Sequence, residues 1–211
     1  MLANSQTGKD AVKYLDDHHI AIVTGPAAGG SYWDSANNQM VIGNDQNAEQ
    51  AALTVAHETN HAHYDKDGLA ANVVNDTKDN YVNGRINEEA EGTVKSIQAK
   101  NEMVAGGKPT AAKFPLEDEY NKAHDDAVAK YNHDHPNAPA ADAEAAGKQA
   151  GQDRVVAGFK NGSREVVSSV PKTDAAGNVI NGPDGKPIHE NYTDYYTRDW
   201  NNNHPAPAAG P

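Results

Sequence analysis

Two histidines four residues apart, His57 and His61, stand in a segment patterned as an amphipathic helix, and this pairing constrains the chain more than any other feature. Asn47 can cap the helix, with Gln50 three residues on. Ala51, Ala52, Val55 and Ala56 recur at helical spacing, and Asp65-Lys66-Asp67-Gly68 marks the expected stop. Residues i and i+4 of a helix lie on one face, so both imidazoles can reach a single tetrahedral ion, zinc above all. Glu58 completes the pattern His57-Glu58-Thr59-Asn60-His61 and can take a proton from a water on that ion. The composition gives roughly 0.02 chance matches to this pattern, so a metal site explains it better than an exposed helix does.

A catalytic zinc needs a third protein ligand. Asp67, six residues after His61, is one candidate, but it would need a sharp turn at Tyr64, which tolerates a positive φ poorly. The stretch Asn87-Glu88-Glu89-Ala90-Glu91-Gly92-Thr93 supplies the others. Here a long helix from about Ile86 to Val104 is expected, with Ile86, Ala90, Val94 and Ile97 on its apolar stripe. At 100° per residue the stripe centres at about 30–40°, and Glu89 lies nearest to it, at about 300°. Glu89 is therefore favoured, and Glu88, Glu91 and Asp67 stay open. His63 points elsewhere from His61, and His18-His19 and His133-Asp134-His135 read as surface histidines. The donor for the oxyanion of a peptide-cleaving reaction is sought in Tyr192–Arg198, with Tyr195 and Tyr196 as first choices.

The rest of the chain must build a core from little. Leu, Ile, Val and Phe make up only 30 of the 211 residues, so Ala and nine Tyr have to pad the interior. The chain has no Cys, which excludes disulfides, a Cys-zinc site and a thiol nucleophile. A formal net charge of -12 argues against nucleic-acid partners, and no run is apolar enough for a membrane span. The opening residues lack the pattern of a signal peptide. A first helix is expected behind a Thr7-Gly8-Lys9-Asp10 capping box, with strands over Ile20–Thr24 and Gln39–Ile42. Residues 69–83 read as loop. Further helices are expected over Leu116–Tyr131 and from Pro139 to about Gln152, with strands at Val155-Val156 and Val166-Val167. Asp174–Ile180 is echoed by Asn181–Ile188, a short turn-and-strand duplication. One α+β domain over residues 1–200 is expected, its small twisted sheet lying over the histidine helix, followed by a flexible tail at 201–211.

His57-Glu58-x-x-His61 followed by Glu88-Glu89-x-x-x-Thr93 resembles the gluzincin-type bacterial effector metallopeptidases and, more distantly, the clostridial neurotoxin light chains. Ser5-x-Thr7-Gly8, a short helix, a strand and a Gly-containing loop extend the resemblance to the effector group over about residues 1–105. It implies a zincin-like fold, a Zn2+ cofactor on His57, His61 and Glu89, and peptide-bond hydrolysis with Glu58 as general base. It also implies a protein or peptide substrate, including a peptidoglycan peptide, and an immunity or delivery protein as partner. Secretion by a signal-peptide-independent route, from the cytoplasm, fits the same resemblance. The alternatives are a non-catalytic binding module on a degenerate zincin scaffold and a housekeeping peptidase.

Overall fold

A computed structural model of the chain describes residues 2–26, 30–108, 110–163 and 165–205. The fold is mixed α+β and mostly helical. After a 3-10 turn at Leu2–Asn4 come α1 (Gln6–Asp17), β1 (Ala21–Gly25), β2 (Tyr32–Asp34), β3 (Gln39–Gly43) and α2 (Ala48–Lys66). The second half is helical: α3 (Lys78–Ala105), α4 (Glu117–Asp134), α5 (Ala140–Lys160) and α6 (Tyr192–Asn203). The strands form one sheet of order β1-β3-β2, with β1 parallel and β2 antiparallel to β3. No helix among the described residues is long and apolar enough to cross a membrane.

The core falls into three clusters that follow the layers. Met40 and Ile42 of β3 pack with Leu15 of α1 and with Val55 and Ala62 of α2, so the sheet covers one side of α2. Leu53 and Ala56 of α2 meet Ala99 and Met103 of α3 on the other side, and Ser96 Oγ donates to the Leu53 carbonyl at 2.9 Å. The far face of α3 uses Ile86, Ala90, Val94 and Ile97, the expected stripe, against residues of α4, α5 and α6. Alanines and glycines at these crossings let the helices approach closely, which is how a chain poor in large aliphatics closes its interior.

Several elements differ from the sequence expectations for identifiable reasons. Ser5, not the Thr7 box, caps α1, its Oγ accepting from Gly8 N at 2.9 Å. Thr7 is inside the helix and instead donates to Glu102 of α3 through its N–H at 2.8 Å and its hydroxyl at 3.0 Å. Asn47 and Gln50 do form the expected capping box of α2. Helix α3 begins two turns before Ile86, capped by Thr77, because buried Tyr81 and Val82 extend its apolar face into a stretch that reads as polar. Val155-Val156 is helical, with Val155 fully buried in α5, since a two-residue apolar run does not separate strand from buried helix. Val166-Val167 is not a strand. The duplication beyond it folds as two turns, closed at Gly177 (φ 85°) and Gly185 (φ 75°) and joined by isolated bridges. Strand β2 and helix α6 had no expected counterpart. Residues 201–203 of the expected tail belong to α6, while 206–211 lie outside the described residues, as do Met1, Gly29 and Pro109.

The α4–α5 crossing depends on absent side chains. A Cβ at Gly151 would stand 2.6–2.9 Å from the ring of the fully buried Tyr120. Overpacking of this kind costs about 1–3 kcal/mol, against about 1 kcal/mol regained in helix propensity. Gly151→Ala should therefore lower the unfolding free energy in urea, by up to about 2 kcal/mol, with an unchanged m-value.

Candidate metal centre

Helices α2 and α3 cross where their small residues allow it, and the crossing brings three donor atoms together. His57 Nε2 and His61 Nε2 are 3.1 Å apart, and Glu89 Oε2 lies 3.6 Å from the first and 3.8 Å from the second. A tetrahedral ion with bonds of about 2.0–2.1 Å separates its ligand atoms by about 3.3–3.4 Å, so this triangle accepts one with little adjustment. His57, His61 and Glu89 are the only group of three or more His, Asp or Glu with this convergence among the described residues. Gly92 makes the approach possible, since a Cβ there would stand 2.9–3.1 Å from the His57 ring.

Behind the donors lies a second row. His61 Nδ1 donates to Glu88 Oε1 at 2.7 Å, which fixes the tautomer that leaves Nε2 free for a metal. Glu88 is buried, and its other oxygen accepts from Arg85 Nη1 at 2.7 Å. The Arg85 guanidinium lies 5.3 Å over the ring of Tyr196, whose hydroxyl donates to Glu89 Oε1 at 2.6 Å. The free oxygen of Glu89 is thus turned toward the two imidazoles. Asn60 Nδ2, from the same turn of α2, donates to the Glu88 carbonyl at 2.9 Å and locks the two helices in register.

These contacts set the protonation states. Burial disfavours a charged Glu89, but the nearby imidazoles of His57 and His61 outweigh it and hold the carboxyl down at about 2. Burial also disfavours charged His61, yet the Glu88 hydrogen bond and the charges of Glu89 and Glu58 raise it to about 9. Glu58 is 6% exposed, and its carboxyl is raised above the ordinary value, chiefly by burial. The opposing influences of His57, His61 and the Trp33 backbone N–H do not cancel that effect.

Glu58 and the three donors line a cleft of about 470 Å³ that opens along β2, with Trp33, Asp65, Arg85, Glu88 and Tyr192 also on its walls. The other ligand candidates lie elsewhere. Asp67 caps the C-terminus of α2 and pairs with His63 Nε2 at 3.2 Å. Glu91 accepts from Tyr64 OH at 2.8 Å, and Glu88 stands behind His61. His18 stacks on Tyr14 and His135 on Tyr131, as surface histidines do. Tyr195 and Tyr196, expected as oxyanion donors, are not on the cleft wall: Tyr196 is buried behind Glu89, and Tyr195 packs edge-on against it beneath Arg198. The tyrosine that does line the cleft is Tyr192, one helical turn before Tyr196. Arg85 and Trp33 carried no sequence signal of their own. Arg85 sits three residues before Glu88, a spacing that signals an ion pair only once Glu88 is known to be buried.

The chain matches no family model, no curated protein sequence and no solved structure.

Two outcomes follow for metal binding. Loss of a carboxylate ligand should weaken zinc binding most, and loss of an outer hydrogen-bond partner should cost about 10–100-fold. Zinc titration should therefore rank Glu89→Gln as the largest loss, Glu88→Gln next, and Glu91→Gln near wild type. Binding should also release a proton. A ligating imidazole must be neutral, and His61 in the metal-free protein keeps its proton up to about pH 9, whereas Glu89 has lost its own far below neutrality. Zinc affinity should rise about tenfold per pH unit between pH 7 and 9 and flatten above that. Flattening near 6.5, measured with a competing chelator, would show that Glu88, Glu89 and Glu58 together do not raise the His61 pKa.

Proposed function

We propose that the protein is a zinc-dependent metallopeptidase, with the ion on His57, His61 and Glu89 and with Glu58 as general base. One observation carries this reading: two imidazole nitrogens and one carboxylate oxygen converge on a solvent-open cleft that also holds a buried glutamate of raised proton affinity. Three protein donors with an open side are the arrangement of catalytic zinc, since structural zinc takes four. When bound, zinc supplies Lewis acidity to a water and to the scissile carbonyl. Glu58 accepts the proton of the attacking water and hands it to the leaving nitrogen, and its burial makes it a better proton acceptor than a surface glutamate. Tyr192 serves as hydrogen-bond donor to the oxygen of the attacked carbonyl, since burial and the nearby Glu89 charge raise its pKa and keep the phenol protonated.

The finer fold assignment, a zincin-like domain, is supported by the sheet on one side of α2 and a carboxylate-bearing helix on the other. The bacterial effector or toxin setting, with export and a protein or peptidoglycan-peptide target, rests on the resemblance of residues 1–105. A second reading is a metal-binding module without turnover. The near-complete burial of Glu58 favours it, because a carboxylate so enclosed can serve structure alone.

Glu58→Gln separates the two. The substitution keeps the shape and leaves the three donors untouched, so zinc content and melting temperature should stay at wild-type values. Cleavage of a peptide library by the zinc-loaded protein should fall by about 10²–10⁴-fold. Zinc-loaded wild type that cleaves nothing in the library points to the second reading.

A further inference from the structure

We propose that Asp65 and Trp33 form a subsite for the ammonium or guanidinium group of a Lys or Arg side chain within about two residues of the scissile bond, a proposal that rests on the peptidase reading above. The charges of the cleft lead to it. With a divalent ion bound, the ion offsets Glu58 and Glu89, and Arg85 offsets Glu88 through their 2.7 Å contact. Asp65 is the carboxylate left over. It is exposed on the cleft wall, and no cation among the described residues pairs with it.

Asp65 is nevertheless held in place. It lies one helical turn after His61, about 6 Å further along the axis of α2. Trp33 Nε1 donates to its Oδ2 at 3.0 Å, which fixes the carboxylate and leaves Oδ1 for a ligand. An extended peptide advances about 3.3–3.6 Å per residue, so the side chain that meets Asp65 belongs to a residue close to the reacting carbonyl. The indole supplies the second half of the recognition. Its flank offers an apolar wall for the methylenes of a Lys or Arg, and its face attracts cations. An ammonium already lies over this ring, that of exposed Lys66, 5.5 Å from the centroid. The formal net charge of -12 adds a longer-range attraction for basic segments.

Binding tests this without needing turnover. Full-length Glu58→Gln protein, its zinc content measured on the same preparation, is titrated with alanine hexapeptides that carry one lysine or one norleucine at each position in turn. At one or two positions lysine should bind about 3–30-fold tighter than norleucine, the range of an exposed ion pair combined with a cation–π contact. The difference should shrink in high salt. Asp65→Asn, which keeps an acceptor for the Trp33 N–H, should remove the difference, and Asp65→Arg should shift the preference to glutamate. Zinc-loaded protein that binds both peptides equally, binds neither, or keeps its lysine preference in Asp65→Asn overturns the subsite and leaves the metal centre standing. Protein that takes up no zinc removes the metal centre, and the subsite with it.

Discussion

The crossing of α2 and α3 sets two adjacent carboxylates, buried Glu88 and half-buried Glu89, against two imidazoles, and the arrangement of the cleft follows from that choice. Consecutive residues of a helix point about 100° apart, so a Glu-Glu pair cannot present both carboxylates to one point. One faces the donor triangle and the other faces the back of His61. Burying two like charges this close is costly unless each has its own partners. Glu88 has His61 and Arg85, while Glu89 has Tyr196 and the histidine pair. Glu89 is kept ionised mainly by the two imidazoles whose nitrogens converge with its free oxygen.

Helix α6 closes this network from a distance of about a hundred residues. Tyr196 reaches Glu89 across 107 positions of sequence and carries Arg85 on its ring, so the C-terminal helix orients a ligand that α3 supplies. A chain with few large aliphatics gains here from aromatic groups with a polar tip. Tyr81, Tyr192, Tyr195 and Tyr196 pack with one another between α3, α5 and α6, and Tyr196 spends its hydroxyl on the site. Its phenol is pushed far above the ordinary range by burial and by Glu89, so it acts as a hydrogen-bond donor and not as an acid.

What could be read from the sequence was what repeats locally. The His57–His61 spacing, the Asn47 capping box, and the Ile86, Ala90, Val94, Ile97 stripe are periodic or short-range. The stripe itself faces α4, α5 and α6, and α3 meets α2 through Ala99 and Met103 instead, so the wheel reached Glu89 from the wrong face: Glu89 lies at the border between the two. The residues that escaped are fixed by partners far away in sequence. Strand β2 has three residues and no alternation to detect, and it exists because β3 offers an edge for Tyr32–Asp34. Thr7 looked like a cap and is instead a long-range ligand of Glu102. Tyr192 lines the cleft where Tyr195 and Tyr196 do not, because the face α6 turns to the cleft depends on how it packs against α3 and α5, which its own composition does not encode.

The sheet order adds the last constraint on the chemistry. Because β3 is central and β1 lies on its far side, β2 is the edge strand on the cleft side, and the strand that carries Trp33 runs beside the helix that carries Glu58. One residue of β2 meets this helix directly: the Trp33 indole N–H bonds Asp65, two turns beyond Glu58 along α2. The part of the cleft wall that Trp33 forms is thereby held by strand pairing and not by a loop. Positions held by main-chain pairing on one side and a buried helix on the other vary less than those on a free loop, and preorganised polar groups gain most of their effect from being fixed. The short β2, invisible to periodicity, is for that reason the element that couples the sheet to the cleft.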